Sequence, residues 1–525
     1  MTIHDYFYSL PYRFRPEKAQ GFSGIFHFIL SGNQPAQFTV QINHSECTVS
    51  DGLHHTPDCV IETSSQLHID IETEKANPQW AYMTGKIKVS NIAAMMQYLK
   101  LFKRFKPDYL QQQTPANTPK SPQKETTPTR KPQTGPLKGV RILDLSRLLP
   151  APLATMLLAD WGAEVIKIED PHNPDDTRNY PPFIGNQSAY YLAVNRSKRS
   201  LQLNLRSPEG KAIFYNLLRT ADIVVESFRP GVLQKLGLHY NEAKNINPRI
   251  IYVSVTGYGQ TGDFATKAGH DINYLAQSGI LGLNGISEDA ISIPGAQIAD
   301  VAGGSYLTAI ACLLALQNRT LTNTGDHIDV SITDACLPLL SIPFATFFAE
   351  GKVPKPGNQL LSGVLPNYNV YQCADGKWLA LGALEPKFWA GFCQMINRPH
   401  WVNAIIPHSE EAEMVKLELK KLFLTKSSQE WLTDAAHYDI CLTAALSLQE
   451  AANHPLFEQR QMFTQFTHPA YGAFTAINQP LQFTQTNLPK GWAPPIKGED
   501  TDAILQESGY TNATIQELKN KGIIS

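Results

Sequence analysis

Five short segments of the chain carry side chains able to do acid–base or anion chemistry. In AGHDINYLAQSG, His270 and Asp271 stand where an Ala-Gly loop enters a helix. That places an imidazole and a carboxylate at a helix N-terminus, whose free amides can hold an anion or an oxyanion. In AQIADVAGGSYLTAIACLLAL, Asp300 precedes an almost wholly apolar helix. A helix N-cap, worth about 1 kcal/mol, explains an acid there without chemistry. Gly303 and Gly304 in the first turn each cost about 1 kcal/mol against Ala, so something wants the room, and a thioester or other acyl group is the simplest occupant. In LGALEPKFWAGF, Glu385 lies beside Pro386 at a helix start, where the helix dipole alone favours an acid. Finally, NRSKRSLQLNLRSPEG offers Arg196, Lys198, Arg199 and Arg206, and FRPGVLQKLGL offers Arg229 and Lys235. Solvated surface is the usual fate of such cations; phosphate recognition is the sharper reading.

A sixth motif, GYGQTG at Gly257 to Gly262, has the form of a dinucleotide fingerprint. That fingerprint belongs after the first strand of its unit and should open a helix, with an acid about twenty residues on. Here it falls late in the domain, and the first strand-to-helix turn, SRLLPAP, has no glycine. A tight loop bringing backbone close to a ligand is the better reading. The seven cysteines are scattered and never in C-x-x-C spacing, so buried reduced thiols are expected rather than a zinc or disulfide framework.

The elements that must position these residues follow from periodicity. GVRILDL is an apolar strand, APLATMLLADWG a helix and AEVIKIED a second strand: a βαβ unit, and so a parallel sheet. ADIVVES and RIIYVSVTG supply further strands, each preceded by a helix, and the fold class is α/β with a Rossmann-like large domain. NYNVYQCADGKWLALGAL predicts a hairpin around Ala374 to Gly376 in a smaller α+β domain followed by amphipathic helices. Before all this, residues 1–106 read as small α+β: FTVQIN, CTVSDG, HIDIET and GKIKVS alternate as strands, and Ile92, Met95, Leu99 and Phe102 recur at helical spacing. Between the two regions, Gln111 to Thr134 contains no Val, Ile, Leu, Met or aromatic residue, and is a linker. Fully extended as polyproline II it would reach roughly 74 Å. The expected plan is therefore 1–106, a linker over 107–136, a large domain over 137–335 completed by about 474–525, and a linker and small domain over 336–473.

Bulk properties narrow the function classes. With 525 residues, 45 Lys plus Arg, 47 Asp plus Glu and a pI near 6.7, neither a broad cationic face for nucleic acid nor an acidic tail is expected. No run of eighteen apolar residues occurs, so no stable membrane anchor is expected. The opening MTIHDYFYSLPYRFRP lacks the pattern of a secretory leader and the closing GIIS is not a peroxisomal SKL, so the expected location is the cytoplasm.

Taken together, GVRILDLSRLLPAP, LADWGAEVIKIE, ESFRPGV, VTGYGQTG, AGHDINYLAQSG, ADVAGGS and ADGKWLALGALEP resemble the family III CoA transferases, and within them the α-methylacyl-CoA racemases, over about Pro136 to Lys497. Residues 1–106 separately resemble a sterol carrier protein type 2 domain through PDCVIET, NPQWAYMTGKIKVS and the closing helix. The first resemblance implies that His270 and Asp300 are the catalytic acid/base pair, with Glu385 hydrogen-bonded to the imidazole. It implies that Gly269, Asp271 and Tyr274 line the thioester, that Arg229 and Lys235 meet CoA phosphates, and that Asn204 and Arg206 flank the nucleotide. It also implies an interlocked homodimer with its site between the large domain of one chain and the small domain of the other. Gly363 is followed by Val364 where racemases commonly carry paired glycines, which bears on the acyl pocket. The second resemblance implies a fatty acyl or lipid ligand in the amino-terminal domain.

The chemistry suits the residues. Inverting a carbon beside a thioester carbonyl requires removing its proton from one face and returning one to the other, so two titratable groups must flank it. An imidazole and a carboxylate in opposite protonation states can exchange roles for the two substrate hands. CoA enters as part of the substrate, and no further cofactor or metal is required. The alternative within the family is CoA transfer between carboxylic acids, with Asp300 as nucleophile forming a mixed anhydride. An alternative of another class is a lipid carrier whose larger part is an inactive scaffold.

Overall fold

The computed structural model describes residues 134–525 throughout and, before them, residues 3–19, 22–32, 35–43, 46–72, 76, 81 and 84–102. The chain divides into two compact units, 1–126 and 127–525. Most of the expected linker, residues 107–133, lies outside the described residues.

The first unit is built on a five-stranded sheet: β1 (Ser23–Ser31), β2 (Ala36–Asn43), β3 (Glu46–Asp51), β4 (Cys59–Ser64) and β5 (Lys88–Val89), in the order β3-β2-β1-β4-β5. β1 pairs antiparallel with β2 and parallel with β4. Its buried face is aromatic, with Phe7 stacked on Phe38 and Phe26 against Tyr98. HIDIET is not a strand: residues 68–72 belong to the helix Ser65–Glu72. The alternation there is coincidental with a helical face, because His68 and Glu72, four apart, point the same way. The imidazole of His68 stacks on Phe7, while the Tyr6 hydroxyl and the Arg13 guanidinium both donate to Glu72 Oε2 at 2.6 Å. The later helix is Ile92–Tyr98, capped by Asn91; Phe102 lies beyond it and bridges to Phe14 instead.

The second unit contains β6 (Arg141–Leu145), β7 (Glu164–Glu169), the short hairpin β8 (Phe183–Ile184) and β9 (Gln187–Ser188), β10 (Lys198–Gln202), β11 (Ile223–Glu226), β12 (Ile251–Thr256) and β13 (His327–Ser331). Six of these form one parallel sheet in the order β10-β7-β6-β11-β12-β13. Read by position, this is the doubly wound order 3-2-1-4-5-6, whose reversal between β6 and β11 opens a crevice at the carboxyl ends of the strands. Helices cover both faces. Phe214, Leu217, Leu505 and Ile515 pack over Leu143, Val224 and Tyr252, and Ala154, Leu158, Ala309 and Cys312 pack over Ile142, Ile223 and Val253.

The smaller sheet is β14 (Tyr368–Gln372), β15 (Trp378–Gly382) and β16 (Leu442–Ala444), antiparallel and backed by the helices Pro386–Met395, Glu410–Phe423 and Ser428–Ala435 around Trp389, Phe392 and Phe423. The chain returns to the large sheet earlier than residue 474. The hairpin β17 (Phe463–His468) and β18 (Gly472–Ile477) already packs Tyr471 and Phe474 with Tyr191 and Leu192. Two helical stretches, Ala299–Thr322 and Ile332–Glu350, are long and apolar enough to cross a membrane by length and composition, although no eighteen-residue apolar run marks them. The first of them lies against β12 and the helix Pro150–Asp160.

Asp300 does not cap that helix. It is the second residue of a π-helical stretch, Ala299–Tyr306, that runs on into Leu307–Thr322; such wide turns concentrate at functional sites. The room left by the two glycines is used by protein, not kept for an acyl group. A Cβ on Gly303 would stand 3.1 Å from the carbonyl oxygen of Ile332, and one on Gly304 only 2.7 Å from the Cβ of Pro150. Gly304→Ala should therefore force the turn carrying Asp300 away from the start of the Pro150–Asp160 helix. The expected loss, read by denaturant unfolding, is about 1–3 kcal/mol.

Candidate active site

Two turns meet on the carboxyl side of β12. His270 is the N-cap residue of the helix Asp271–Ser278, exposed, with its backbone N–H donating to Asn273 Oδ1 at 3.0 Å. The adjoining Asp271 turns its carboxylate to the other turn, where Oδ1 accepts the backbone N–H of Asp300 at 3.0 Å. The residue after His270 is thus tied to the backbone of Asp300, which joins the two turns. Asp300 is half-buried, and among the described residues its carboxyl receives no hydrogen bond. Burial first, and then the charge of Asp271, push its pKa up to about 7.

Beneath these turns Tyr274 is buried, its hydroxyl donating to the carbonyl of Gly269 at 2.7 Å, and its ring meeting Tyr258 edge to face. A Cβ on Gly269 would lie 2.6 Å from the Tyr274 ring, and one on Gly257 only 2.5 Å from it. The bareness of both glycines is explained by this tyrosine. The 257–262 loop opens no helix; its Gln260 N–H donates to Asp329 Oδ2, and it serves to close the floor of the site.

Glu385 is exposed, at the N-cap position of Pro386–Met395, where its carbonyl accepts from the amides of Phe388 and Trp389. Its carboxylate makes no hydrogen bond among the described residues, so one chain does not join Glu385 to His270. Gly363 has a φ of +108°, and Val364 beside it is buried.

The cations sort themselves by burial. Arg196 is paired with Asp160 at 2.6 Å, Lys198 with Asp144 at 2.9 Å, and Arg199 with Glu164 and Glu507 at 2.7 and 2.9 Å. All three are buried, which removes them from phosphate recognition. Around Asp144, burial alone would raise the pKa, but Lys198 and Lys167 overcome it and hold the acid at about 2. Lys167 also pairs with Asp175 and donates to the carbonyl of Ser146. This charged layer clamps the turn after β6. The amide of Leu148, which has a φ of +67°, donates to Asp175 Oδ1.

Arg206 and Lys235 are brought together. They line a cavity of about 280 Å³ in the crevice at the strand-order reversal, with Arg147, Leu205, Phe228 and Leu236. Arg229 is exposed and does not line it; Asn204 acts one step away, its Oδ1 accepting the amide of Arg206. Arg147 is the cavity cation that sequence reasoning passed over. Its signal was position: two residues beyond the first strand of the unit, at the crevice mouth.

With that geometry in hand, likeness to known proteins is informative. Residues 137–501 match the family model for CoA-transferase family III, and residues 11–103 match that for the SCP-2 sterol transfer family. Succinyl-CoA:glutarate CoA-transferase from Homo sapiens is 31% identical over 74% of this chain and 90% of its own length. Alpha-methylacyl-CoA racemase from Homo sapiens is 32% identical over 74% of this chain and 97% of its own. Acetyl-CoA:oxalate CoA-transferase from Acetobacter aceti is 35% identical over 64% and 87%. Among solved structures, a CAIB/BAIF family protein from Brucella suis superposes with a TM-score of 0.64 at 28% identity, covering 72% of this chain and all of that one. Two turns that unite a histidine and a raised carboxyl, a cation-lined crevice and these likenesses agree: the chain belongs to CoA-transferase family III, and carries an SCP2 domain ahead of it.

Proposed function

We propose that the carboxy-terminal unit epimerises 2-methyl-branched acyl-CoA thioesters at the α carbon by two-base proton transfer. The observation that carries this reading is Asp300, a half-buried carboxyl lifted to about 7 beside the histidine turn. Such a group exists in both protonation states at neutral pH, which matches it to giving and taking a proton. A nucleophile for anhydride formation is needed only as the anion, and burial beside Asp271 works against that state.

In one direction neutral His270 breaks the α C–H bond and keeps the proton, the electron pair passes into the thioester carbonyl as an enolate, and Asp300 delivers its own proton to the opposite face. The protein is left with imidazolium and carboxylate, the pair that serves the other hand. The enolate oxygen is stabilised by amides at the start of Asp271–Ser278, which lack intrahelical partners. The cavity lined by Arg147, Arg206 and Lys235 takes the CoA phosphates. Glu385 of a second copy orients the His270 ring. A homodimer is supported by Leu314, Leu321, Ile342 and Phe348, large apolar side chains between 65% and 78% exposed on the helices Leu307–Thr322 and Ser341–Glu350.

The second reading is CoA transfer between carboxylic acids through Asp300. It is supported by relatives of that name as similar as the racemase, and it needs neither His270 nor Glu385.

Three measurements test these assignments. In deuterated water, a (2R)-2-methylacyl-CoA should exchange its α proton, and His270→Ala and Asp300→Asn should each slow exchange by about 100-fold or more. Undiminished exchange in His270→Ala overturns the two-base assignment. CoA passing to a free dicarboxylate without exchange favours the transferase, and neither reaction leaves the carrier reading. Arg206→Ala and Lys235→Ala should each raise KM for acyl-CoA about tenfold, more than they lower kcat, with a smaller effect at high salt. Removal of residues 1–106 should raise KM for long acyl chains more than for short ones, because a tethered lipid-binding domain raises the local concentration of poorly soluble substrate; equal kinetics for both overturns that role.

A further inference from the structure

Asp271 presents an arrangement that the proton transfer itself does not use. Its carboxylate accepts the amide of Asp300 across two separate elements, the helix Asp271–Ser278 and the π-helical stretch Ala299–Tyr306. That bond brings a second carboxylate against the acid. The titratable groups around the pair are His270 directly before Asp271, Tyr274 from the same helix and Cys336 from the helix Ile332–Cys336, with Tyr258 from the loop after β12 standing against Tyr274. Among the described residues neither carboxylate forms an ion pair with a Lys or Arg, and the charge felt by Asp300 is that of Asp271. A buried anion without a cation is costly, and two adjacent carboxylates cannot both ionise freely. Structural need alone does not call for a charge here, since a neutral oxygen would accept the Asp300 amide equally well.

We propose that Asp271 is a positioning residue for Asp300: its oxygen fixes the backbone of the turn, and its charge opposes ionisation of Asp300 so that the acid reaches substrate still carrying its proton. This rests on the reading of Asp300 as a proton carrier. The division of labour separates the two parts of the role. Asp271→Asn keeps an acceptor oxygen and loses the charge, whereas Asp271→Ala loses both.

The direction follows from the sign of the charge. Asp300 in the intact protein is protonated below about 7. Without the Asp271 charge its pKa falls toward the ordinary carboxyl value. The two active forms, neutral imidazole with protonated Asp300 and imidazolium with the carboxylate, carry the same number of protons, so both hands share one pH profile of kcat/KM, and a lower pKa at Asp300 moves the acidic limb of that profile to lower pH.

The test is the pH profile of kcat/KM for both hands of one 2-methylacyl-CoA, measured on the full-length protein, Asp271→Asn and Asp271→Ala, with Asp300→Asn as reference. The acidic limb should move to lower pH in Asp271→Asn, equally for both hands. Asp271→Ala should show the same shift with a further loss at its own optimum, from the freed turn. Should Asp271→Asn fail to fold, judged by circular dichroism, Asp271→Ser carries the same expectation. A limb that stays in place in a folded, charge-free variant overturns the proposal. Retained exchange in Asp300→Asn instead overturns the underlying reading of Asp300, so the two failures are told apart.

Discussion

A single hydrogen bond, from the amide of Asp300 to the carboxylate of Asp271, ties the two turns of the candidate site to each other. Proton transfer to either face of one carbon needs groups held at fixed separation, because misplacement by even an ångström costs orders of magnitude. The chain supplies that constraint with two rigid supports. One is the helix Asp271–Ser278, whose Tyr274 is locked between Gly257, Gly269 and Tyr258. The other is the wide helical stretch carrying Asp300, pressed against Ile332, Ala335 and Pro150 through Gly303 and Gly304. The glycines are where the two supports are allowed to approach.

The crevice is held by a different force. Beside the carboxyl end of β6, buried Asp144, Lys167, Lys198 and Asp175 form a charge-compensated layer. Buried pairs of this kind give little net stability, but removing one member leaves its partner stranded, so the arrangement is tightly specified. It fixes the turn from Ser146 to Leu148, and with it Arg147 at the cavity mouth and Pro150 against Gly304. One buried network thus stands behind both Arg147 in the cavity and Pro150 against the turn that carries Asp300.

Much of this was legible in the sequence because strands and helices of the parallel sheet carry strong, redundant patterns. The β6 and β7 segments, the 374–376 hairpin and the helix opening at His270 all follow from periodicity and turn residues. What was not legible depends on contacts distant in sequence. Nothing in HIDIET says that Glu72 will be claimed by Tyr6 and Arg13, which is what makes it helical. Nothing in RSKRS says that its three cations will find Asp160, Asp144 and Glu507, so a run that looks phosphate-binding became scaffold. The glycines of ADVAGGS were visible as a local weakness, but their occupants, Pro150 and the 332–335 segment, lie on elements far away in the chain. Position at the strand-order reversal, by contrast, was a usable signal for Arg147, had the sheet order been known.

The same framework supports relatives that move CoA and relatives that move a proton, and the physical difference between these chemistries can reside in one carboxyl. An anionic carboxylate at this position would attack a thioester carbonyl; a protonated one would give its proton to an enolate. Which it does at neutral pH depends on how strongly its surroundings resist charge. Burial and a neighbouring carboxylate both resist it here, and no cation in the described surroundings relieves them. A site arranged for an anionic nucleophile would be expected to do the reverse, placing donors or a cation on the carboxylate. The histidine stands exposed at the head of the adjoining helix, whereas the acid is half-buried beside a second carboxylate, so the acid is the member of the pair whose surroundings the fold shapes.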